Sequence, residues 1–152
     1  MKLDNNGYKL IQKFEGLRLD AYAATESEKQ RNIWTIGFGN ITYENGTKVK
    51  KGDKISQDRA EQIFSYYADK FANQVDAIII ANITQNQFNA VVSLAYNIGL
   101  GNFQKSTLLK KLNKNPNDKT IKDEFLKWVN AGGRKLQGLV NRRKKESDVY
   151  FS

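Results

Sequence analysis

The hydrophobic period of this chain changes twice, and that change constrains the fold more than any other feature. Between residues 4 and 14, Leu10, Ile11 and Phe14 share one helical face, and Gly16 supplies a C-terminal stop. Beyond Gly16 the period drops to two. Leu17, Leu19, Ala21 and Ala23 alternate with Arg18, Asp20, Tyr22 and Ala24, which predicts a strand. TESEKQRN (25–32) is polar and reads as a loop, whereas IWTIGF (33–38), β-branched and aromatic, predicts a second strand. Asn45-Gly46 is a hairpin signal and places a third short strand near 48–50. From Ser56, a natural N-cap, the period returns to 3.6. Ala60, Ile63, Phe64, Tyr67, Phe71, Val75 and Ile78 predict one long helix from 57 to about 80. Thr84 and Gln87 form a capping box for FNAVVSLAYNIG, which is apolar on nearly every face and reads as a buried central helix ended by Gly99 and Gly101. Shorter helices are expected near 106–113, 119–130 and 139–150, broken by Pro116 and Gly132-Gly133. The fold class is therefore α+β. A single domain over 1–152 is expected, with a small antiparallel β-lobe (14–55) and a larger helical lobe (1–13 and 56–152). The long helix joins the lobes, and a cleft between them is expected.

Composition removes whole classes of chemistry. The 152 residues contain no Cys and no His. Disulfides, thiolate nucleophiles, Ser-His-Asp relays and cysteine-ligated zinc are excluded, so carboxylates and hydroxyls must do any catalytic work. No metal and no cofactor is expected. Charge is uneven: residues 1–100 hold 12 Lys/Arg against 11 Asp/Glu, and residues 101–152 hold 13 against 5. A basic last third fits a polyanionic partner such as nucleic acid, an anionic membrane or an acidic wall polymer, or else a solvated helical surface. MKLDNNGYKLIQ lacks the apolar core of a signal peptide, and VDAIIIANI (75–83) is too short to span a membrane. A cytoplasmic product without membrane insertion is expected.

Within the period change sits FEGLRLDAY, followed after the polar stretch by WTIGFGN. Glu15 stands where helix meets strand, flanked by Phe14 and Leu17. A partly desolvated carboxyl there could act as a general acid; a surface or capping glutamate is the plainer alternative. These two blocks resemble the phage-type lysozymes (endolysins), glycoside hydrolases that cut the glycan of peptidoglycan. Two further blocks resemble the same family in the same order, QNQFNAVVSLAYNIGLGNFQKSTLLKKLN (85–113) and WVNAGGRKLQGLVNRRKKESDVY (128–150). Together they extend over about residues 10–150.

The resemblance implies a lysozyme-like fold and a set of roles. Glu15 occupies the place of the family's general acid, and Thr35 that of a threonine that helps to position the attacking water. Gly37 and Gly39 would let backbone approach a sugar, or serve turn and bulge geometry. Asn40, Ile41, Tyr96, Asn97 and Ser106 fall where the family contacts substrate, with packing or capping as the alternative for each. Arg18 resembles a family arginine beside the glutamate. Arg142-Arg143 matches paired arginines, at least one of which should tie the last helix to the rest.

One departure stands out. The family's second carboxylate lies nine residues after the glutamate, and that position is Ala24. The following segment is about five residues longer than usual. Either a carboxylate from the insert, Glu26 or Glu28, reaches the water side of the site, or Thr35 and the backbone suffice, or catalysis is impaired. Asp20, before Tyr22, is a weaker candidate. The expected function is an endolysin hydrolysing the β-1,4 bond between N-acetylmuramic acid and N-acetylglucosamine, acting on peptidoglycan glycan strands as a monomer. It would reach the wall from the host cytoplasm once a holin-type pore opens the membrane. A peptidoglycan-binding protein that has lost catalysis is the alternative. Nucleic acid is not an expected partner, since no recognition motif accompanies the basic residues.

Overall fold

The computed structural model describes all 152 residues as α1 (Asn5–Glu15), β1 (Arg18–Tyr22), α2 (Glu26–Gln30), β2 (Thr35–Gly37), α3 (Gln57–Asp76), α4 (Gln85–Ile98), α5 (Leu100–Lys105), α6 (Thr107–Lys114), α7 (Ile121–Phe125), β3 (Asn130–Ala131), β4 (Arg134–Lys135) and α8 (Gln137–Tyr150). Two antiparallel two-stranded sheets among eight helices make an α+β fold. The chain divides into two compact units. One is Gln12–Lys70, and the other is Met1–Ile11 together with Phe71–Ser152.

In the unit Gln12–Lys70, β1 and β2 pair with Arg18 opposite Gly37 and Tyr22 opposite Thr35. Four residue steps on β1 thus face two on β2, an irregularity that breaks the strict alternation expected of residues 17–24. Leu17 and Leu19 accordingly lie exposed, while all of β2 is buried. Residues 53–55 line the other edge of β1, where Ala21 N–H donates to the Asp53 carbonyl at 2.9 Å and Ile55 N–H to that of Leu19 at 2.9 Å. The third strand expected at 48–50 is reduced to a single bridge, Thr42 to Lys48, around the Asn45-Gly46 turn. Asp53 explains why that segment curls rather than extends: its Oδ2 accepts from the Tyr43 hydroxyl at 2.8 Å and from Lys50 N–H at 2.9 Å. Glu44 grips Arg59 through two bonds of 2.6 and 2.8 Å, joining the turn to α3. Beneath them Ile36, Phe38, Val49, Ala60, Ile63 and Phe64 form the core, with Phe38 and Phe64 edge to face at 5.4 Å.

Two expectations need correction. The polar stretch 25–32 is no loop: its centre is α2, with Thr25 as N-cap accepting from Glu28 N–H at 3.1 Å. The long helix ends at Asp76 rather than near 80, so Ile78 lies beyond it. Asn113 holds the chain there, accepting from Ile80 N–H at 2.9 Å and donating to the Ile78 carbonyl at 3.2 Å.

In the other unit α4 is the centre, and Gln87 to Ala95 are all buried. Its capping box is complete: Thr84 Oγ1 accepts from Gln87 N–H at 3.1 Å and Gln87 Oε1 from Thr84 N–H at 2.9 Å. Gly7 of α1 is the point of closest approach, since a Cβ there would lie 2.5 Å from Asn89 Oδ1. Asp4 fastens the same place, accepting from Gly7 N–H at 3.0 Å and from Asn89 Nδ2 at 2.8 Å. Gly99 caps α4 as expected, but Gly101 does not end it; it lies inside α5, a six-residue helix that follows at once. The helix expected over 119–130 covers only Ile121–Phe125, because Gly132-Gly133 turns a small hairpin, β3–β4, that claims Asn130 and Ala131.

α8 is anchored by charge. Arg142 donates to the Ser93 carbonyl at 3.0 Å and to Glu146 at 3.2 Å, and Ser93 Oγ donates to Glu146 Oε2 at 2.5 Å. Arg143 pairs with Glu146 Oε1 at 3.1 Å and bonds Asn97 Oδ1. All five side chains but Asn97 are buried. Burial opposes ionisation of the Glu146 carboxyl, and the two guanidinium groups oppose that push. Both paired arginines tie down the last helix.

Candidate active site

Glu15 is the last residue of α1, half-buried, and Gly16 turns the chain out of the helix at φ +72°. Across from it lies Gly39, at φ +90°; a Cβ there would stand 3.4 Å from Glu15 Oε2. The backbone of the Thr-Ile-Gly-Phe-Gly block therefore passes beside the carboxyl, and only glycine leaves that approach open at this φ without strain. Gly37 differs. It is buried, and a Cβ there would rest 3.5 Å from Ala60 Cβ, so its space belongs to the core.

Thr35 is 7% exposed and stands opposite Tyr22 in the hairpin. Asn40 closes the tight turn after β2, its N–H donating to the Ile36 carbonyl at 3.0 Å and its carbonyl accepting from Ile36 N–H at 2.8 Å. Its side-chain Oδ1 is buried and accepts no hydrogen bond from the protein, a polar atom in need of a donor. Ile41 is half-exposed and, with Trp34, Arg31 and Lys48, lines a hollow of about 200 Å³. Asn32, at φ +56°, orients the indole there by accepting from Trp34 Nε1 at 2.8 Å. Arg31, Asn32, Trp34 and Lys48 were not among the residues singled out from sequence; an Asn just before a strand, able to take a left-handed conformation, was the available signal.

Position 24 is exposed and carries only a methyl group, but a carboxylate is present beside it. Glu28 Oε2 accepts from Ala24 N–H at 3.1 Å. Glu28 is the half-buried member of α2, whereas Glu26 is exposed. Asp20 instead faces outward and meets Lys54 at 3.7 Å, a solvated pair worth little. Arg18 places its guanidinium carbon 4.4 Å from the centre of the Tyr22 ring, a cation–π contact that braces β1.

The remaining candidates belong to the helical unit. Tyr96 packs edge to face on Phe71 at 5.5 Å. Asn97 is held by Arg143 and, with Asn102, Trp128 and Leu139, lines a second hollow of about 300 Å³. Ser106 is buried as the N-cap of α6: its hydroxyl donates to the Phe103 carbonyl at 2.6 Å and accepts from Leu109 N–H at 3.1 Å. That capping work engages both its donor and an acceptor site. No cluster of three or more Asp, Glu, His or Cys side chains is grouped to hold a metal ion.

Residues 12–146 match the family model described as Phage lysozyme. The chain belongs to the phage lysozyme family. Among relatives in this family, an endolysin of Bacillus phage B103 is 40% identical over all 152 residues, which span 55% of its length. An endolysin of Acyrthosiphon pisum secondary endosymbiont phage 1 is 35% identical over the whole chain and 99% of its own. Of solved structures, an endolysin from Escherichia coli O157:H7 phage FAHEc1 superposes with a TM-score of 0.87 at 37% identity, covering 100% of this chain and 94% of that one. The fold is thus lysozyme-like. The chain spans about half the length of the Bacillus phage relatives it matches. None of the eight helices is long and apolar enough to cross a membrane.

Proposed function

We propose that this phage lysozyme relative is a muramidase that hydrolyses the β-1,4 bond between N-acetylmuramic acid and N-acetylglucosamine in peptidoglycan, with Glu15 as the general acid. The observation that carries the reading is the half-buried Glu15 carboxyl set against a Gly39 backbone that has no side chain to block it. A glycosidic oxygen brought over Gly39 meets a proton donor, and protonating that oxygen makes the departing sugar a neutral alcohol. Thr35, opposite Tyr22 on β2, serves to orient the attacking water. Asn40, through its buried Oδ1, steadies the turn beside the acid once it receives a donor.

The names of the relatives support this reading, since the two described above are endolysins. The basic last third favours contact with an anionic wall, and the enzyme reaches that wall after the membrane has been opened. Purified sacculi test the proposal. The wild-type chain should clear a suspension of them, and Glu15→Gln, which keeps size but holds no transferable carboxyl proton, should clear it slower by about 10²–10⁴-fold. A protein that bound glycan without cutting it would sediment with the sacculi and leave turbidity unchanged.

A further inference from the structure

We propose that Glu28 is the general base of this reaction, supplied from the insert in place of the carboxylate that the family carries at position 24. The inference rests on the muramidase reading and on Glu15 as its acid. Ala24 offers no oxygen, but Glu28 Oε2 lies 3.1 Å from the Ala24 amide nitrogen. A carboxylate is therefore held at this point of the backbone by a side chain that starts four residues later.

Glu28 is fixed at three places. Its N–H donates to Thr25 Oγ1 at 3.1 Å, its carbonyl accepts from Ile33 N–H at 2.8 Å, and its carboxylate accepts from Ala24 N–H. The Ala24 bond engages Oε2, and Oε1 remains to accept a proton from water. The hairpin register brings the water-orienting side to the same end, because Thr35 pairs with Tyr22, two residues before Ala24. Glu26 does not compete. Residues two apart on a helix do not share a face, and Glu26 is exposed.

In the step so described, Glu28 takes a proton from water as the water oxygen bonds to the anomeric carbon. The bond from that carbon to the bridging oxygen breaks, its electron pair stays on the oxygen, and Glu15 delivers the proton that completes the leaving hydroxyl. One water is consumed and both carboxyl groups end with exchanged protonation, restored through solvent.

Glu28 also resembles the acidic member of a capping box, so a purely structural role is the competing account. Glu28→Gln separates the two. Gln is the other residue favoured at that capping position and keeps an acceptor for Ala24 N–H, yet it cannot take a proton from water. On a soluble peptidoglycan oligosaccharide, kcat should fall by about 10²–10⁴-fold with KM and melting temperature little changed. Adding Ala24→Asp to Glu28→Gln should recover at least about tenfold of kcat. Wild-type kcat in Glu28→Gln, a loss confined to KM, absence of recovery in the double variant, or the kcat loss appearing in Glu26→Gln instead would each overturn the assignment. Should the wild type cleave, Glu15→Gln fail and Glu28→Gln cleave normally, this inference falls and the muramidase reading stands; should the wild type not cleave, both fall.

Discussion

Glycine at position 39 and alanine at position 24 carry opposite messages about the site. The first was legible as part of Thr-Ile-Gly-Phe-Gly, and a Cβ there would stand 3.4 Å from Glu15 Oε2. The second left three explanations open, a carboxylate from Glu26 or Glu28 among them, because sequence spacing does not show which side chain of the insert turns back; Glu28 Oε2 accepts from Ala24 N–H. Ser106 was a candidate for substrate contact, yet its hydroxyl caps α6, a use that depends on where the helix begins. Gly39→Ala should cut activity and also cost about 1–2 kcal/mol, because an L-residue is strained at φ +90°. Gly46→Ala, at φ +85° with open space around it, should cost a similar stability and leave sacculus clearing intact. Equal activity losses in the two variants would show that strain, not proximity to Glu15, governs the effect.

Among the elements, α4 was readable because burial on every face leaves an apolar run, interrupted between 88 and 95 only by Asn89 and Ser93, bracketed by a capping box and a glycine. The β-lobe was harder. An irregular register takes the period out of β1, and pairing through single bridges needs no strand-length pattern. α2 is five residues long, too short for periodicity, but Thr25-x-x-Glu28 carried the same capping signal as Thr84-x-x-Gln87. Thr25→Ala should weaken α2 by about 1 kcal/mol, seen as roughly fivefold faster amide exchange at Glu28 while global melting hardly moves. Exchange unchanged from wild type would mean that the cap does not hold this helix.

The turn at 43–53 has a pH signature. Hydrogen bonds from Lys50 N–H and the Tyr43 hydroxyl hold the Asp53 carboxyl below the usual carboxylate range, and the Arg59 fork does the same for Glu44. Their folded pKa values lie below the unfolded ones of about 4, so the unfolded state binds protons first as pH falls. The stability they contribute is complete above that unfolded value and is lost as pH falls through the folded ones. Tyr43 shows the mirror case: burial, then its bond to Asp53, pushes its phenol up to about 12, so its contribution is full below about 10 and is lost as pH rises toward 12. Asp53→Asn should flatten the acid side of the stability curve measured by urea unfolding between pH 3 and 6; an unchanged acid slope would refute that origin.

At the scale of the whole molecule, absent Cys and His fixed the kind of chemistry before any element was placed, and the order of motifs carried the family. The internal ion cluster was only half visible. Paired arginines in the last helix pointed to an anchor, but Ser93, which bonds Arg142 and the shared partner Glu146, is far from them in sequence and meets them only when α4 packs on α8. Glu146→Gln should destabilise the protein by about 3–5 kcal/mol in chemical denaturation, because it leaves two buried guanidinium groups without a counter-charge. A change under about 1 kcal/mol would mean that neutral hydrogen bonds, not charge, hold α8.

The most direct test of the account is the chemistry of the ends it creates. Purified peptidoglycan digested with the wild-type chain, reduced with borohydride and analysed by mass spectrometry should yield fragments ending in reduced N-acetylmuramic acid, and Glu15→Gln should yield almost none. Fragments ending in reduced N-acetylglucosamine, or equal release by Glu15→Gln, would contradict it.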